Sequence, residues 1–174
     1  LQKATRMLQI GMYGVVGNES YSFKDLEKEL RQPTDERLFG IAEAIKKGWS
    51  IDRIHQATKI DRWFLSKVRN IVAVEKKLRE HTLATLPASQ LAEAKRKGFS
   101  DKQIAIFCGA DELEVRAKRT RLRITPAVKQ IDTLAAEYPA KTNYLYLTYH
   151  GREDDVRFGP GGNKVMVLGS GSYS

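Results

Sequence analysis

The side chains best suited to catalysis or metal binding are few and scattered along the chain. They are the three histidines and the single cysteine, His55, His81, His150 and Cys108. Their spacing does not match that of a metal site, such as two histidines at i and i+4 or a Cys-x-x-Cys pair. We therefore assign no catalytic residue and no metal ligand. Cys108, which precedes a glycine in a predicted tight turn, is expected to be a small core residue.

The acidic and glycine-rich segments do not predict a site either. The trio Glu153-Asp154-Asp155 lies in a predicted loop, where a solvated surface cluster is the expected interpretation. Asp132 and Glu137 are expected to be helix caps or helix-surface residues rather than an acid/base pair. Gly169-Ser170-Gly171 follows an apolar run and matches half of a phosphate-binding loop, without the third glycine and the helix that would complete it. We assign no cofactor-binding residue.

A basic stretch in the middle of the chain suggests a different function. The net charge is +9, and residues 61–125 carry 15 basic against 8 acidic side chains. Five of the eight residues in 116–123 (RAKRTRLR) are basic. Ala105, Gly109 and Val115 have helix-turn-helix spacing, which would place this run on a recognition helix able to neutralise phosphates. Any tight helix pair needs the same small residues, so nucleic-acid binding and plain packing both remain open.

Composition sets the class of protein. The chain has 174 residues, 41% of them apolar, which is too apolar for a disordered segment and fits about one domain. Apolar runs stay well short of the about 18 residues that a membrane span requires. A lone cysteine cannot form an internal disulfide, which favours a reducing compartment. Because the sequence opens at Leu1 without a methionine or signal pattern, we expect a segment of a longer protein.

An internal repeat organises the helices that would position any site. Residues 42–69 align without gaps on residues 92–119, with nine identities in 28 positions against about two expected from average composition. In each copy a glycine ends one helix, an aromatic follows, and a serine caps the next. These turns are Gly48-Trp49-Ser50 and Gly98-Phe99-Ser100. Capping-box patterns predict further helix starts near residues 101 and 112.

The flanking segments carry weaker patterns. Ser22-Phe23-Lys24-Asp25 is expected to open a short amphipathic helix before the repeat. After Pro126 we predict a helical stretch with its apolar face at Val128, Ile131, Leu134 and Ala135, then a strand in Tyr144–Tyr149. Residues 150–163 read as a polar linker loop and Val165–Leu168 as a buried strand. The fold class expected is mainly α, with two repeated helix-turn-helix units and a short terminal β segment.

Several blocks together resemble the large (synthetase) chain of carbamoyl-phosphate synthetase, in particular the helical oligomerisation region between its two ATP-grasp halves. The sequence of these blocks is closer to eukaryotic than to bacterial members, and the resemblance covers about residues 3–171. The blocks are residues 58–65 (TKIDRWFL), 97–104 (KGFSDKQI), 128–138 (VKQIDTLAAEY) and 142–149 (TNYLYLTY). Trp63 and Phe64, inside the first block, are predicted to be core anchors.

This resemblance implies a non-catalytic role within a larger enzyme. Such parent enzymes make carbamoyl phosphate from bicarbonate, ammonia commonly drawn from glutamine, and ATP, for pyrimidine or arginine/urea synthesis. ATP and a divalent metal would bind in the parent, with no cofactor in this fragment. Residues 1–17 would end the carboxyphosphate half, 18–149 would form the helical oligomerisation domain, and 164–174 would begin the carbamoyl-phosphate half. After the turn Gly169-Ser170-Gly171, members of the family commonly continue to an Arg-Ile-Gly sequence, whereas this chain has Ser172-Tyr173-Ser174.

The implied partners are a second copy of the chain, the flanking ATP-grasp halves and a glutaminase domain or subunit, with no membrane. The implied compartment is the cytoplasm, or the mitochondrial matrix for an arginine/urea enzyme, and a role in allosteric regulation is expected. For self-association we predict the apolar stripe Phe23, Leu26 and Leu30. The alternative is that this stripe packs on Leu38 and Ile41 within the domain.

Overall fold

The computed structural model describes residues 1–18, 22–132, 134, 137–138, 144–156 and 159, and within them the chain is mainly helical, as predicted. The helices, in chain order, are α1 (Gln2–Met7), α2 (Leu26–Arg31), α3 (Arg37–Lys46), α4 (Ile51–Thr58), α5 (Arg62–Arg79), α6 (Ala88–Arg96), α7 (Asp101–Cys108) and α8 (Glu112–Arg121). Two strands follow, β1 (Ala127–Gln130) and β2 (Leu145–Thr148).

The structure reproduces the sequence repeat helix by helix. Helices α3, α4 and α5 form the first copy, and α6, α7 and α8 form the second. At an offset of 50 residues, α4 and α7 coincide at both ends, and α5 and α8 begin at equivalent positions. The helix starts predicted near residues 101 and 112 are therefore confirmed.

The same cap residues set these boundaries in both copies. Ser50 and Ser100 each accept a hydrogen bond from the backbone N–H three residues ahead, which satisfies a donor at the start of α4 and α7. Gly48 and Gly98 have φ of 82° and 85°, a left-handed conformation that glycine adopts without strain. The repeated Gly-aromatic-Ser sequence thus turns the chain identically twice.

The apolar stripe before the repeat is covered inside the chain, so the predicted self-association surface is wrong. Helix α2 begins at Leu26, whereas the sequence predicted that the helix opens at residues 22–25. The Asp25 carboxylate caps it by accepting a hydrogen bond from Lys28 N. Leu30 is 0% exposed and Leu26 is buried, and both pack at Gly40 of α3. Phe23 and Leu38 are partly buried against the same core. The alternative, packing within the domain, is what the structure shows.

The chain divides into two compact units, Leu1–Pro126 and a second that begins at Ala127. The core of the first is built from the buried faces of the repeat helices, with Val15 and Val16 added from the N-terminal segment. The domain bounds expected from the sequence, with a helical domain over 18–149, stay predictions. The assignment of residues 1–17 and 164–174 to neighbouring halves of a parent stays a prediction.

The described part of the second unit contains two paired strands, where the sequence predicted a helix followed by a strand. Residues 127–130 form β1, which pairs antiparallel with β2 in the register Val128 to Leu147, so the helix predicted after Pro126 is wrong there. The aromatic and β-branched run of β2, predicted as a strand, is confirmed. Pairing with this run overrides the helix-like apolar spacing, because strand pairing satisfies the backbone groups of both segments. Ala135 and Val165–Leu168 lie outside the described residues.

The acidic trio has a structural role in this pair of strands. The Asp154 carboxylate accepts from Val128 N at 2.7 Å, and the Asp155 carboxylate accepts from Gln130 N at 3.0 Å. Asp155 N donates to Val128 O at 2.9 Å. The three residues are exposed, as expected of a solvated loop, and their segment also forms hydrogen bonds to β1.

Candidate functional site

The aromatic pair Trp63–Phe64 is exposed, which contradicts its predicted role as a core anchor. Trp63 is 59% exposed and Phe64 is 60% exposed. The Asp61 carboxylate accepts from Trp63 N at 2.7 Å and so places both aromatics in the first turn of α5. Burial in this helix begins at the next residue, Leu65, which is why the aromatics face outward.

The two rings form a single apolar surface. Their centroids are 5.0 Å apart in an edge-to-face arrangement, which holds each ring in place. The Lys67 ammonium lies 4.6 Å from the Trp63 ring centroid. In the second copy, Leu113 occupies the position equivalent to Trp63 and is also exposed, while Glu114 occupies the position of Phe64. A charged residue at this position of the repeat could have signalled an exposed face. In both copies the large apolar side chain stands two residues after the aspartate cap, before the buried face of the helix begins.

The basic run 116–123 is engaged in packing at two of its five basic residues. The Lys118 ammonium donates to the carbonyls of Ala84 at 3.3 Å and Leu86 at 2.7 Å, and also to that of Leu83. These bonds satisfy carbonyls of the segment that connects α5 to α6. The second basic residue, Arg119, binds the Asp101 carboxylate at 2.8 Å. A side chain held in this way has no freedom to reach a phosphate.

The helix-turn-helix spacing likewise describes internal packing. Ala105 and Val115 are buried between α7 and α8, and Gly109 takes the left-handed conformation (φ 61°) that ends α7. Cys108 is buried beside this turn, as expected, and burial raises the pKa of its thiol. The small residues let the two helices approach, which is the packing alternative.

A buried ion triad, Lys95–Asp101–Arg119, fastens α6, α7 and α8 together. The Lys95 ammonium lies 2.7 Å and the Arg119 guanidinium 2.8 Å from the Asp101 carboxylate, and all three side chains are largely buried. Burial by itself raises the pKa of Asp101, but hydrogen bonds from Lys95 and Arg119 outweigh it and lower that pKa. Burial lowers the pKa of Lys95, against the opposing effect of Asp101. The triad is structural, because one carboxylate binds cations from two other helices.

A polar network that sequence reasoning missed joins the N-terminal segment to the second repeat copy. The Arg6 guanidinium donates to Gly98 O at 3.0 Å and to Gln103 Oε1 at 3.1 Å. The Gln103 amide donates to Val16 O at 3.0 Å, and Gln2 Oε1 accepts from Val15 N at 2.7 Å. The sequence pattern placed Gln103 in a capping box at the start of α7. It did not predict the contact of Gln103 with the N-terminal segment.

Among the described residues, no group of three or more His, Cys, Asp or Glu side chains could hold a metal ion. His55 directs Nδ1 to the Ile60 carbonyl at 2.7 Å, at the turn between α4 and α5. In the described part of the chain, no helix is both long and apolar enough to cross a bilayer. The exposed Trp63–Phe64 pair is a candidate contact surface of the first unit.

Comparison with known proteins identifies the family. The family model for the carbamoyl-phosphate synthetase large chain, oligomerisation domain, matches residues 1–123. The mitochondrial arginine-specific carbamoyl phosphate synthase large chain of Schizosaccharomyces pombe is 49% identical over 175 residues, 99% of this chain and 15% of that protein. Multifunctional protein CAD of Squalus acanthias is 47% identical over 174 residues, 99% of this chain and 8% of that protein.

Multifunctional protein ura1 of S. pombe is 46% identical over 173 residues, again 99% of this chain and 8% of that protein. The chain thus spans about a twelfth to a seventh of the length of these relatives. The nucleic-acid alternative finds no support in these comparisons. The matched family model covers most of the chain, and the chain belongs to the carbamoyl-phosphate synthetase large chain family, whose oligomerisation domain it matches over residues 1–123.

Proposed function

We propose that this domain is a non-catalytic module that self-associates and joins the two synthetic halves of a parent enzyme that makes carbamoyl phosphate. The matched family model, described as an oligomerisation domain, supports the first part. The second part is supported by the relatives, in which this chain matches only a small fraction of a longer polypeptide. ATP, a divalent metal and the ammonia source would then act in other parts of the parent. The compartment would follow that parent, as in the mitochondrial arginine-specific relative.

The observation that carries self-association is the exposed Trp63–Phe64 pair. Tryptophan is enriched among the residues that dominate protein–protein binding energy, since it buries a large area at little entropic cost. Isolated exposed apolar residues are ordinary, but two adjacent rings fixed edge to face form a preorganised contact. Two copies related by a two-fold axis would bring the same pair into contact from both sides.

The test compares the double variant Trp63→Ser/Phe64→Ser with a matched control. Met7→Ser/Leu8→Ser removes two apolar side chains that are each 66% exposed, elsewhere in the same unit. Sedimentation velocity over a concentration series should show a dissociation constant raised by at least about 30-fold in the aromatic variant, which corresponds to about 2 kcal/mol.

The control should sediment as the unsubstituted chain does. Equal association of the aromatic variant and the unsubstituted chain would contradict the assignment of this surface. Circular dichroism of both variants should show the helix content of the unsubstituted chain, because the substituted side chains are exposed.

A further inference from the structure

An apolar groove with a basic rim lies in the first repeat copy. Its volume is about 540 Å³, and it runs between the turn after α3 and one face of α5. Ile45, Trp49 and Val72 contribute apolar surface. The Arg53 guanidinium stacks on the Trp49 ring at 3.4 Å from its centroid and holds the ring in place. Four basic side chains border the groove: Lys46, Arg69, Lys76 and Arg79.

Two of these cations are fixed by one buried carboxylate. Lys46 Nζ donates to Glu75 Oε1 at 3.0 Å, and Arg79 Nε and Nη2 donate to the same oxygen at 3.1 and 3.0 Å. Glu75 also lines the groove, but it is only 2% exposed, so it neutralises one of the four positive charges while presenting little surface to an incoming group. The groove therefore combines an apolar surface with a net positive rim that is in part preorganised.

The second repeat copy shows what covers the equivalent surface. There, α1 lies against the Gly98–Phe99 turn, with Gln2 Cβ 3.2 Å from the position of a Cβ on Gly98 and Arg6 bound to the Gly98 carbonyl. Phe99 is accordingly 1% exposed. Around Gly48, by contrast, no atom of the described residues comes within 4 Å of an added Cβ. One copy of the repeat is thus covered by polypeptide and its counterpart is open.

The chain itself carries a surface of complementary chemistry. At the start of α8, Leu113 is exposed between Asp111-Glu112 and Glu114, so one apolar side chain projects within an acidic segment. The capping box holds this segment in a fixed shape, with Glu114 accepting from Asp111 N at 2.9 Å and Asp111 accepting from Leu113 N at 2.7 Å. We call residues 111–114 the acidic corner.

We propose that the groove receives the acidic corner of a second copy of this chain, with Leu113 on the apolar surface and the carboxylates facing the basic rim. This inference rests on the proposed function and gives self-association a second contact, distinct from Trp63–Phe64. A reciprocal pair, in which each copy inserts its corner into the other's groove, is compatible with a two-fold dimer. Because the charges are exposed, salt weakens the contact.

The test uses charge reversal and its rescue in the whole chain, with Trp63 and Phe64 unchanged. The groove variant is Arg69→Glu/Lys76→Glu, since both side chains are exposed and neither is an observed partner of Glu75. The corner variant is Glu112→Lys, which leaves the capping box intact. Each alone should weaken association about tenfold at low salt, and the difference should shrink at high salt.

Mixing the groove and corner variants should restore association, because the reversed charges are complementary again. Lys97→Glu/Lys102→Glu makes the same change of charge on exposed lysines outside the groove and should leave association unchanged. If the unsubstituted chain associates and both variants associate equally well, the inference fails and the proposed function stands. If the unsubstituted chain stays monomeric, the proposed function fails and the inference with it.

Discussion

Truncation of Leu30 separates a core role from an interface role for the α2 stripe. Leu30 is 0% exposed and lies in the core cluster beside Gly40, where a Cβ on that glycine would be 3.7 Å from a Leu30 methyl carbon. Leu30→Ala removes three carbons from this site and leaves a cavity between α2 and α3. Substitutions of this kind cost about 2–5 kcal/mol, and complete burial places the expected loss near about 3 kcal/mol.

Urea unfolding followed by circular dichroism measures this loss. With an m value of about 2 kcal/mol/M, a loss of about 3 kcal/mol moves the midpoint down by about 1.5 M. The matched control is Leu8→Ala, the same substitution at a side chain that is 66% exposed and lies outside the proposed contact; it should change the free energy of unfolding by less than about 0.5 kcal/mol.

The opposite pattern would refute the packing account. If Leu30→Ala left the unfolding midpoint unchanged and lowered the association constant instead, Leu30 would be an interface residue. If Leu30 is a core residue, the Leu30→Ala substitution lowers association only by reducing the amount of folded protein.

Two further substitutions test the internal polar contacts. Asp101→Asn leaves two buried cations without a carboxylate and should cost about 3–5 kcal/mol of unfolding free energy. Folding lowers the pKa of Asp101, so the stability that this carboxylate contributes is present above its pKa in the unfolded chain and is lost as the pH falls through its pKa in the folded chain. The unfolding free energy of the Asp101→Asn variant should lack this acid dependence. Gly14→Ala would place a Cβ 2.6 Å from Gln103 Nε2 and against Gln2, costing about 1–3 kcal/mol by urea unfolding.

Local signals predicted the helical repeat accurately. Gly48, Ser50 and Asp61, with their equivalents fifty residues later, each determine backbone conformation through their own side chain or its absence. Such effects act within three or four residues, so the sequence pattern contains them completely. The family resemblance, confirmed by the family model, rests on the same ordered motifs.

Long-range contacts account for two of the three failures. Val128 was predicted in a helix because its apolar spacing fits one, but pairing with Leu147 places it in a strand. Trp63 and Phe64 were predicted in the core because they lie inside a motif of the family resemblance; the Asp61 cap, a local signal, places them outside. The sequence did not show which surface covers the apolar side chain of Leu30. The packing of α2 on α3 shows that this surface lies within the chain.

The central claim is that this 19.7 kDa chain associates with itself. Sedimentation equilibrium of the unsubstituted chain, over a hundredfold concentration range at low salt, tests it most directly. The account predicts a weight-average mass that rises with concentration toward at least twice the monomer mass. A mass that stays at the monomer value throughout would contradict it.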